Sequence, residues 1–193
     1  VNIATNKNTY TADYVLVTVP LGVLKKGIVS FQPALPSKKQ TAIEAVGMNV
    51  VNKFLLSWEK KFWDDTLFLA YTPNVKDKFN YFVNFNSLNP KANALLTFAY
   101  SDAARATESQ SDSQVVGQIM AHLQAMYGNS IPQPLTFQRT KWASNPYTFG
   151  AYSFTKVGMQ MNQFDELAES ISDKVFFAGE HTHRDYFSTA HGA

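Results

Sequence analysis

The 193-residue sequence predicts an α/β fold. Three observations carry this. Tyr14–Val19 is a continuous apolar, largely β-branched run, the pattern of a buried strand in a parallel sheet. Val175–Ala178 is a second short apolar run, stopped by Gly179. Between them, several stretches alternate with period two, and Ser111–Tyr127 repeats with the period of a helix. Composition narrows the class. At 45% hydrophobic and 17% charged residues the chain reads as globular. A net charge of +2 lacks the basic field of a nucleic-acid partner. The absence of cysteine excludes disulfides and thiolate metal sites. No apolar run reaches membrane-spanning length, so the expectation is a soluble protein, with a cytoplasmic location favoured and the oligomeric state undefined.

Taken in order, Val1–Thr11 alternates weakly around Asn6, Lys7 and Asn8 and predicts a short hairpin. Tyr14–Val19 follows and is ended by Pro20–Leu24. Leu35–Gly47 predicts a short helix, with Pro36 in its first turn, Gly47 as its C-terminal cap, and Ala42, Ile43 and Val46 as its apolar face. Val50–Trp58 predicts a strand. Val51, Lys53 and Leu55 share one face, and Asn52, Phe54, Leu56 and Trp58 share the other. A lysine flanked by apolar side chains either protects a sheet edge and snorkels to water or reaches into a cavity; the residue pattern leaves both open.

Leu67–Thr72, Phe79–Asn86 and Ala94–Tyr100 are further strand candidates, joined by turn-rich connectors at Asn74–Lys78 and Asn86–Asn93. In the second of these strands, Phe79, Tyr81, Val83 and Phe85 fall on an apolar face. Asn80, Asn84 and Asn86 fall on a polar one that lines a cavity or, as the safer expectation, meets solvent. The helix over Ser111–Tyr127 places Val116, Ile119, Met120, Leu123 and Tyr127 on one side and is capped by Gly128. Leu135–Trp142 returns as a strand. The segment that follows is dense in rings, with Trp142, Tyr147, Phe149, Tyr152 and Phe154 close in sequence. Such a group is either a core cluster or a surface that binds cations.

The end of the chain is the richest in chemistry. Gly179 and Glu180 follow the Val175–Ala178 strand, and in open α/β sheets ligands bind outside the carboxyl ends of strands. A carboxylate there can accept hydrogen bonds from the hydroxyls of a ribose or ribityl chain; the plain alternative is a solvated glutamate. Ser188 or Thr189 reads as the N-cap of a helix beginning at Ala190. His181 and His183, with Glu180 and Asp185 nearby, are two apart in one loop. Two ligands from one loop rarely suffice, and no metal is assigned.

Phe177-Ala-Gly-Glu-His-Thr182 and Ser188-Thr-Ala-His-Gly-Ala193 together resemble the C-terminal FAD-binding segment of the flavin-dependent amine oxidases. That family includes polyamine oxidases, monoamine oxidases and flavin-dependent histone lysine demethylases. Ala12–Lys25 is similar to the stretch beside the family's dinucleotide site. Val51-Asn-Lys-Phe-Leu-Leu56 with Phe62-Trp63 is similar to the strand whose lysine holds a water against the flavin, and Lys53 is the matching position. The segment from Trp142 to Ser153 fits the family pattern Trp-x-x-x-Pro-(aromatic)-x-x-Gly-(small)-(aromatic)-Ser.

The resemblance implies FAD as cofactor and a small-molecule amine as substrate. Trp142 and Tyr147 would flank the flavin, Tyr152 would face the amine, Glu180 would hold the ribityl or diphosphate region, and Thr189 and Ala190 would lie beside the ring. Lys53 and Tyr152 are thus the candidate catalytic residues. Thr189 stands where monoamine oxidases carry a tyrosine; vertebrate-type spermine and acetylpolyamine oxidases and the histone demethylases carry a threonine. The resemblance is nearest to the polyamine group. It implies oxidative deamination of polyamines, giving imine or aldehyde and hydrogen peroxide. A histone-demethylase-like oxidase and a non-catalytic, FAD-free module of the same fold are the alternatives.

The implied division places residues 1–21 and 173–193 in a Rossmann-like FAD-binding domain and residues 22–172 in a mixed-sheet substrate-binding domain. The nine glycines nowhere form Gly-x-Gly-x-x-Gly. The expectation is therefore the C-terminal portion of a longer enzyme, inactive by itself.

Overall fold

The computed structural model describes residues 1–74 and 76–193; Val75, inside the expected Asn74–Lys78 connector, lies outside the described residues. The chain divides into two compact units. One comprises Val1–Asn49 with Asn145–Ala193, and the other Val50–Ser144.

The first unit opens on the expected hairpin, β1 (Asn2–Ala4) against β2 (Thr9–Thr11), antiparallel with Ile3 opposite Tyr10. The Thr5 hydroxyl accepts from the Asn8 amide at 2.9 Å and closes the turn. β3 (Val15–Val17) pairs in parallel with β11 (Val175–Phe177), Leu16 lying opposite Phe176. The two apolar runs are thus neighbours despite their distance in sequence. The run around β3 is not buried as expected: Tyr14 is 66% and Leu16 59% exposed. The reason is topological, since among the described residues β3 has one strand neighbour.

α1 (Leu21–Lys25) follows, and then α2 (Ser37–Ala45). Ala42, Ile43 and Val46 are buried as expected and pack with Leu21, Leu24 and with Phe164 and Leu167 of α6 (Asn162–Ala168). Gly47 does not cap α2. It begins β4 (Gly47–Asn49), which pairs antiparallel with β10 (Tyr152–Phe154). A Cβ at Gly47 would stand 2.4 Å from the Phe154 ring, so close approach of an aromatic, not helix termination, is what glycine permits here.

Lys39 is buried between α2 and α6. Its ammonium donates to the carbonyls of Glu166 and Leu167, both at 2.8 Å, and lies 4.1 Å from the centre of the Phe177 ring. It caps the end of α6 and ties two helices to β11. Burial lowers its pKa to about 8, opposed by Glu169 and reinforced by Lys38.

The second unit is a five-stranded antiparallel sheet backed by two helices. Its strands are β5 (Val51–Ser57), β6 (Phe68–Ala70), β7 (Lys78–Asn84), β8 (Ala94–Tyr100) and β9 (Thr136–Arg139), in spatial order β6-β7-β8-β5-β9. α5 (Asp112–Tyr127) is closed at its start by a Ser111–Gln114 capping box and at its end by Gly128 at φ 90°. Val115, Ile119, Met120 and Leu123 of α5 bury against Phe54, Phe79, Phe82 and Leu95 of the sheet. The face of β5 that carries Asn52, Phe54 and Leu56 turns inward.

The faces of β7 differ from expectation. The pairing with β8 slips between Lys78 and Phe82, so Phe79 and Phe82, three apart, both point inward. Asn84 is fully buried rather than solvated. It accepts from the Trp63 indole N–H at 2.9 Å and N-caps α3 (Phe85–Leu88). A helix not expected from sequence, α4 (Ser101–Glu108), follows β8 directly. Arg139 donates to the Thr107 and Gln110 carbonyls, each at 2.7 Å, and pairs with Asp112 at 2.8 Å, so it bridges the end of α4 and the start of α5.

Candidate functional site

In the first unit, the carboxyl ends of β3 and β11 open on a crevice of about 180 Å³ lined by Thr18, Pro20, Gly150, Gly179, Glu180 and His181, among others. Gly179, at φ 155°, turns the chain out of β11 into a 3₁₀ turn, Glu180–Thr182. Glu180 is not a free carboxylate. It accepts from the Ser153 amide at 3.1 Å, the Ser153 hydroxyl at 2.6 Å and the Ser188 amide at 2.9 Å. The Ser188 hydroxyl in turn donates to the Ser153 carbonyl. This knot fastens β10 to the turn that leads into the last residues. It also accounts for the placement of three candidate residues. Tyr152 precedes Ser153, Thr189 follows Ser188, and Ala190 comes next.

Thr189 acts as the N-cap expected of Ser188 or Thr189, its hydroxyl accepting from the Gly192 amide at 3.2 Å; the element it caps is a 3₁₀ turn, Ala190–Gly192. Tyr152 is 40% and Tyr147 80% exposed. Neither belongs to a packed core cluster, so these rings are available to a ligand. His181, which the sequence offered only as one of two loop histidines beside Glu180, lines this crevice. It is buried, its Nδ1 makes no hydrogen bond, and it lies 4.0 Å from Glu180 Oε1. Burial lowers its pKa, the Glu180 charge opposes this, and Lys39 adds to it. Among the described residues no group of three His, Cys, Asp or Glu side chains is placed to hold a metal.

In the second unit, Lys53 and Trp142 are tied through one polar network. Lys53 lies on the outward face of β5, opposite Phe98 of β8, and its side chain is exposed. Its amide donates to the Thr140 hydroxyl at 2.9 Å, and the Thr140 amide donates back to the Lys53 carbonyl at 3.0 Å. Asn52, one residue earlier and fully buried, accepts from the Thr140 hydroxyl at 3.2 Å and from the Trp142 amide at 3.1 Å. The Asn52 amide nitrogen donates to Glu108 at 2.7 Å. Glu108 also accepts from the Ala143 amide at 2.9 Å and the Ser144 amide at 2.8 Å. Burial raises the pKa of Glu108, but the hydrogen bonds from Asn52, Ser144 and the Ala143 amide outweigh it and hold the carboxyl below its usual range. The Trp142 side chain packs against the sheet core.

The residues fit one part of FAD. Small-molecule pockets span about 300–1,000 Å³, so a crevice of about 180 Å³ has room for only a portion of such a cofactor. Its surroundings are tightly packed: a Cβ on Gly22 would lie 2.1 Å from the Thr148 carbonyl oxygen, and one on Gly150 would lie 2.6 Å from the Met48 side chain. The Glu180 carboxylate, 24% exposed, keeps acceptor capacity toward hydroxyl donors. A phosphate-binding glycine loop is not among these residues.

Comparison with known proteins gives the family. The chain is 37% identical over 196 residues to lysine-specific histone demethylase 1 homolog 1 of Oryza sativa subsp. japonica, covering 98% of this chain and 23% of the relative. It is 35% identical to lysine-specific histone demethylase 2 of Homo sapiens, covering 100% of this chain and 24% of the relative. Probable polyamine oxidase 4 of Arabidopsis thaliana is 32% identical, with 95% of this chain and 36% of that protein covered. The chain thus spans about a quarter to a third of the length of these relatives. Among solved structures, a cofactor-binding redesign of putrescine oxidase superposes with a TM-score of 0.80 at 16% identity, over 99% of this chain and 42% of that one. That likeness shows the fold. Residues 1–193 match the family described as flavin containing amine oxidoreductase. The cofactor this family implies is FAD, and the chain belongs to it.

Proposed function

We propose that the chain forms part of an FAD-dependent oxidase that oxidatively deaminates polyamines, giving an imine that hydrolyses to an aldehyde, with hydrogen peroxide as co-product. The observation that carries this reading is the crevice at the carboxyl ends of the parallel pair β3 and β11, with Glu180 fixed at its edge. Bound FAD supplies the oxidising chemistry; the protein supplies binding, orientation and electrostatics. Glu180 would hold the ribityl or diphosphate region, with Thr189 and Ala190 beside the ring. Trp142 and Tyr147 would flank it, and Tyr152 would face the amine. Lys53, on the open face of β5, would hold a water next to the flavin. Residues 1–21 and 173–193 would belong to the FAD-binding domain and residues 22–172 to the substrate domain.

A second reading, oxidation of N-methylated lysine in a peptide, is favoured by one observation: relatives at 34–37% identity are named lysine-specific histone demethylases, against 32% for the polyamine oxidase. The experiment that separates the readings is the visible spectrum of the full-length protein, recorded anaerobically before and after addition of spermine, then of an N-methyl-lysine peptide. Bleaching by spermine supports the polyamine reading, and bleaching by the peptide alone replaces it with the second. A colourless protein refutes both in favour of a non-catalytic module. Lys53→Met should slow bleaching while leaving FAD bound; unchanged turnover would remove Lys53 from the mechanism.

A further inference from the structure

The network beneath Lys53 and Trp142 is unusual for its place in the fold. β5 turns Asn52 inward among Phe54, Leu56 and Trp58, where an apolar residue is the ordinary choice. Glu108 ends α4, at the negative pole of the helix, where a carboxylate is disfavoured. Both departures from local preference converge on one another. Asn52 uses its whole hydrogen-bonding capacity. Its oxygen takes the Thr140 hydroxyl and the Trp142 amide, and its nitrogen gives to Glu108 and, at 3.3 Å, to the Ala104 carbonyl. Glu108 then takes the next two amides after Trp142, those of Ala143 and Ser144. Three successive backbone N–H groups, 142 to 144, are thereby held by two side chains anchored on β5 and α4. Thr140 carries the same network to the Lys53 amide.

We propose that Glu108 and Asn52 are positioning residues for the amine-oxidase reaction: they fix the 140–144 backbone, and through it set Trp142 and Lys53 relative to each other. This rests on the reading that those two residues meet the flavin. A polar network anchored on a fully buried and fully satisfied asparagine gives rigidity and a single geometry, and reacting groups need support of that kind to keep their placement. Carboxylate acceptors bind amides more strongly than neutral ones, which accounts for a glutamate where a glutamine has the same reach.

The test uses the full-length protein with Glu108→Gln, Trp142→Ala and the double variant. Two readouts are taken. The first is amide hydrogen exchange at Trp142, Ala143 and Ser144, which requires neither flavin nor turnover. Glu108→Gln should speed exchange at Ala143 and Ser144 at least tenfold while the amides of β8 and α5 keep their protection. Unchanged exchange, or a uniform loss across the whole unit, overturns the proposal. The second is the rate of flavin bleaching at saturating amine. Glu108→Gln should slow it about tenfold in the wild-type background and less than twofold in the Trp142→Ala background, because coupled residues are non-additive. An equal factor in both backgrounds overturns the positioning role. Should Trp142→Ala alone leave bleaching and spectrum unchanged, the assignment of Trp142 to the flavin fails, and hydrogen exchange still decides for or against Glu108. If Glu108→Gln does not fold, Glu108→Asp, which keeps the charge and withdraws it by one methylene, takes its place with a smaller exchange increase expected at the same two amides.

Discussion

Glu180→Ala separates what this carboxylate does for the fold from what it does for a ligand. In the wild type it accepts from the Ser153 amide at 3.1 Å, the Ser153 hydroxyl at 2.6 Å and the Ser188 amide at 2.9 Å. Ser153 is fully buried, so its amide finds no water when the acceptor goes. A buried donor left without a partner costs about 1–3 kcal/mol. The Ser188 amide also donates to the Glu180 carbonyl at 3.2 Å, a bond the substitution keeps, and adds little. The Ser153 hydroxyl can rotate to another acceptor. The side chain is 24% exposed, so the lost burial of its stem adds about 1 kcal/mol, from about 0.8 per buried CH₂. The sum is about 2–4 kcal/mol. Urea unfolding of the full-length apoprotein measures it, and amide exchange at Ser153 and Ser188 locates it. Glu180→Gln keeps the shape and one oxygen acceptor and should lose about half as much. FAD retention is then compared under conditions where both variants are folded. A shift below about 0.5 kcal/mol, the ordinary scatter of surface substitutions, with Ser153 exchange unchanged, would refute the fastening role. A folded Glu180→Ala that retains FAD fully would refute the cofactor role alone.

Three further outcomes are expected. Gly22→Ala places a Cβ 2.1 Å from the Thr148 carbonyl oxygen and 2.9 Å from that of Phe149; backbone cannot yield as a side chain does, so thermal unfolding should show a loss at or above about 3 kcal/mol, the upper end of ordinary overpacking. A wild-type melting temperature would contradict the packing described. Asn84→Ala leaves the Trp63 indole N–H without its 2.9 Å acceptor and the Thr66 carbonyl without its 2.9 Å donor, at about 2–4 kcal/mol. Adding Trp63→Phe, which removes the stranded donor, should cost less in this background than in the wild type, as read from a double-mutant cycle.

The third outcome concerns pH. Lys39 titrates at about 8 in the folded protein against 10.5 for the free side chain. Between these values the unfolded chain binds more protons, so stability rises with pH across that window. The penalty is full below about pH 8 and relieved toward pH 10.5. Lys39→Met carries no such penalty, so the stability of the wild type relative to this variant should rise from pH 7 to pH 10. A flat difference would mean that the ammonium is solvated.

Much of the fold is legible in residues that act locally. The Ser111–Gln114 box, the helical repeat after it and Gly128 define α5 without any tertiary information. The two apolar runs announce β3 and β11, and their parallel pairing is what strands of that composition do. Errors arise where one residue has two uses. Gly47 follows a helix and so reads as its cap, yet its lack of a side chain serves the Phe154 ring from a strand 105 or more residues later in sequence. In β7 the period of two holds only over residues 82–84, after the register has slipped between Lys78 and Phe82. A bulge leaves no trace in this alternation: it turns Phe82 and Asn84 inward together with Phe79, where a strict period of two puts them on the opposite face.

The site divides along the same line. Lys53, Trp142 and Glu180 each sit in a short stretch whose neighbours point to them. The residues that hold them do not. Asn52 offers a faint local sign, a polar side chain on a face otherwise made of Phe54, Leu56 and Trp58. Glu108 offers none: it ends a helix not expected from sequence, and its partners are 56 residues upstream and 35 and 36 residues downstream. Ser153 and Ser188 meet Glu180 across 27 and 8 residues by the same kind of long-range closure. Groups that touch a ligand are constrained by its chemistry and so draw their residue types from a short menu. Groups that hold them in place need only a donor or acceptor at the right point in space, and many residue types at many positions supply one. A supporting residue therefore becomes recognisable once the chain has been folded around it. This is why Glu108, which no local rule favours at the end of α4, is the more informative position to mutate.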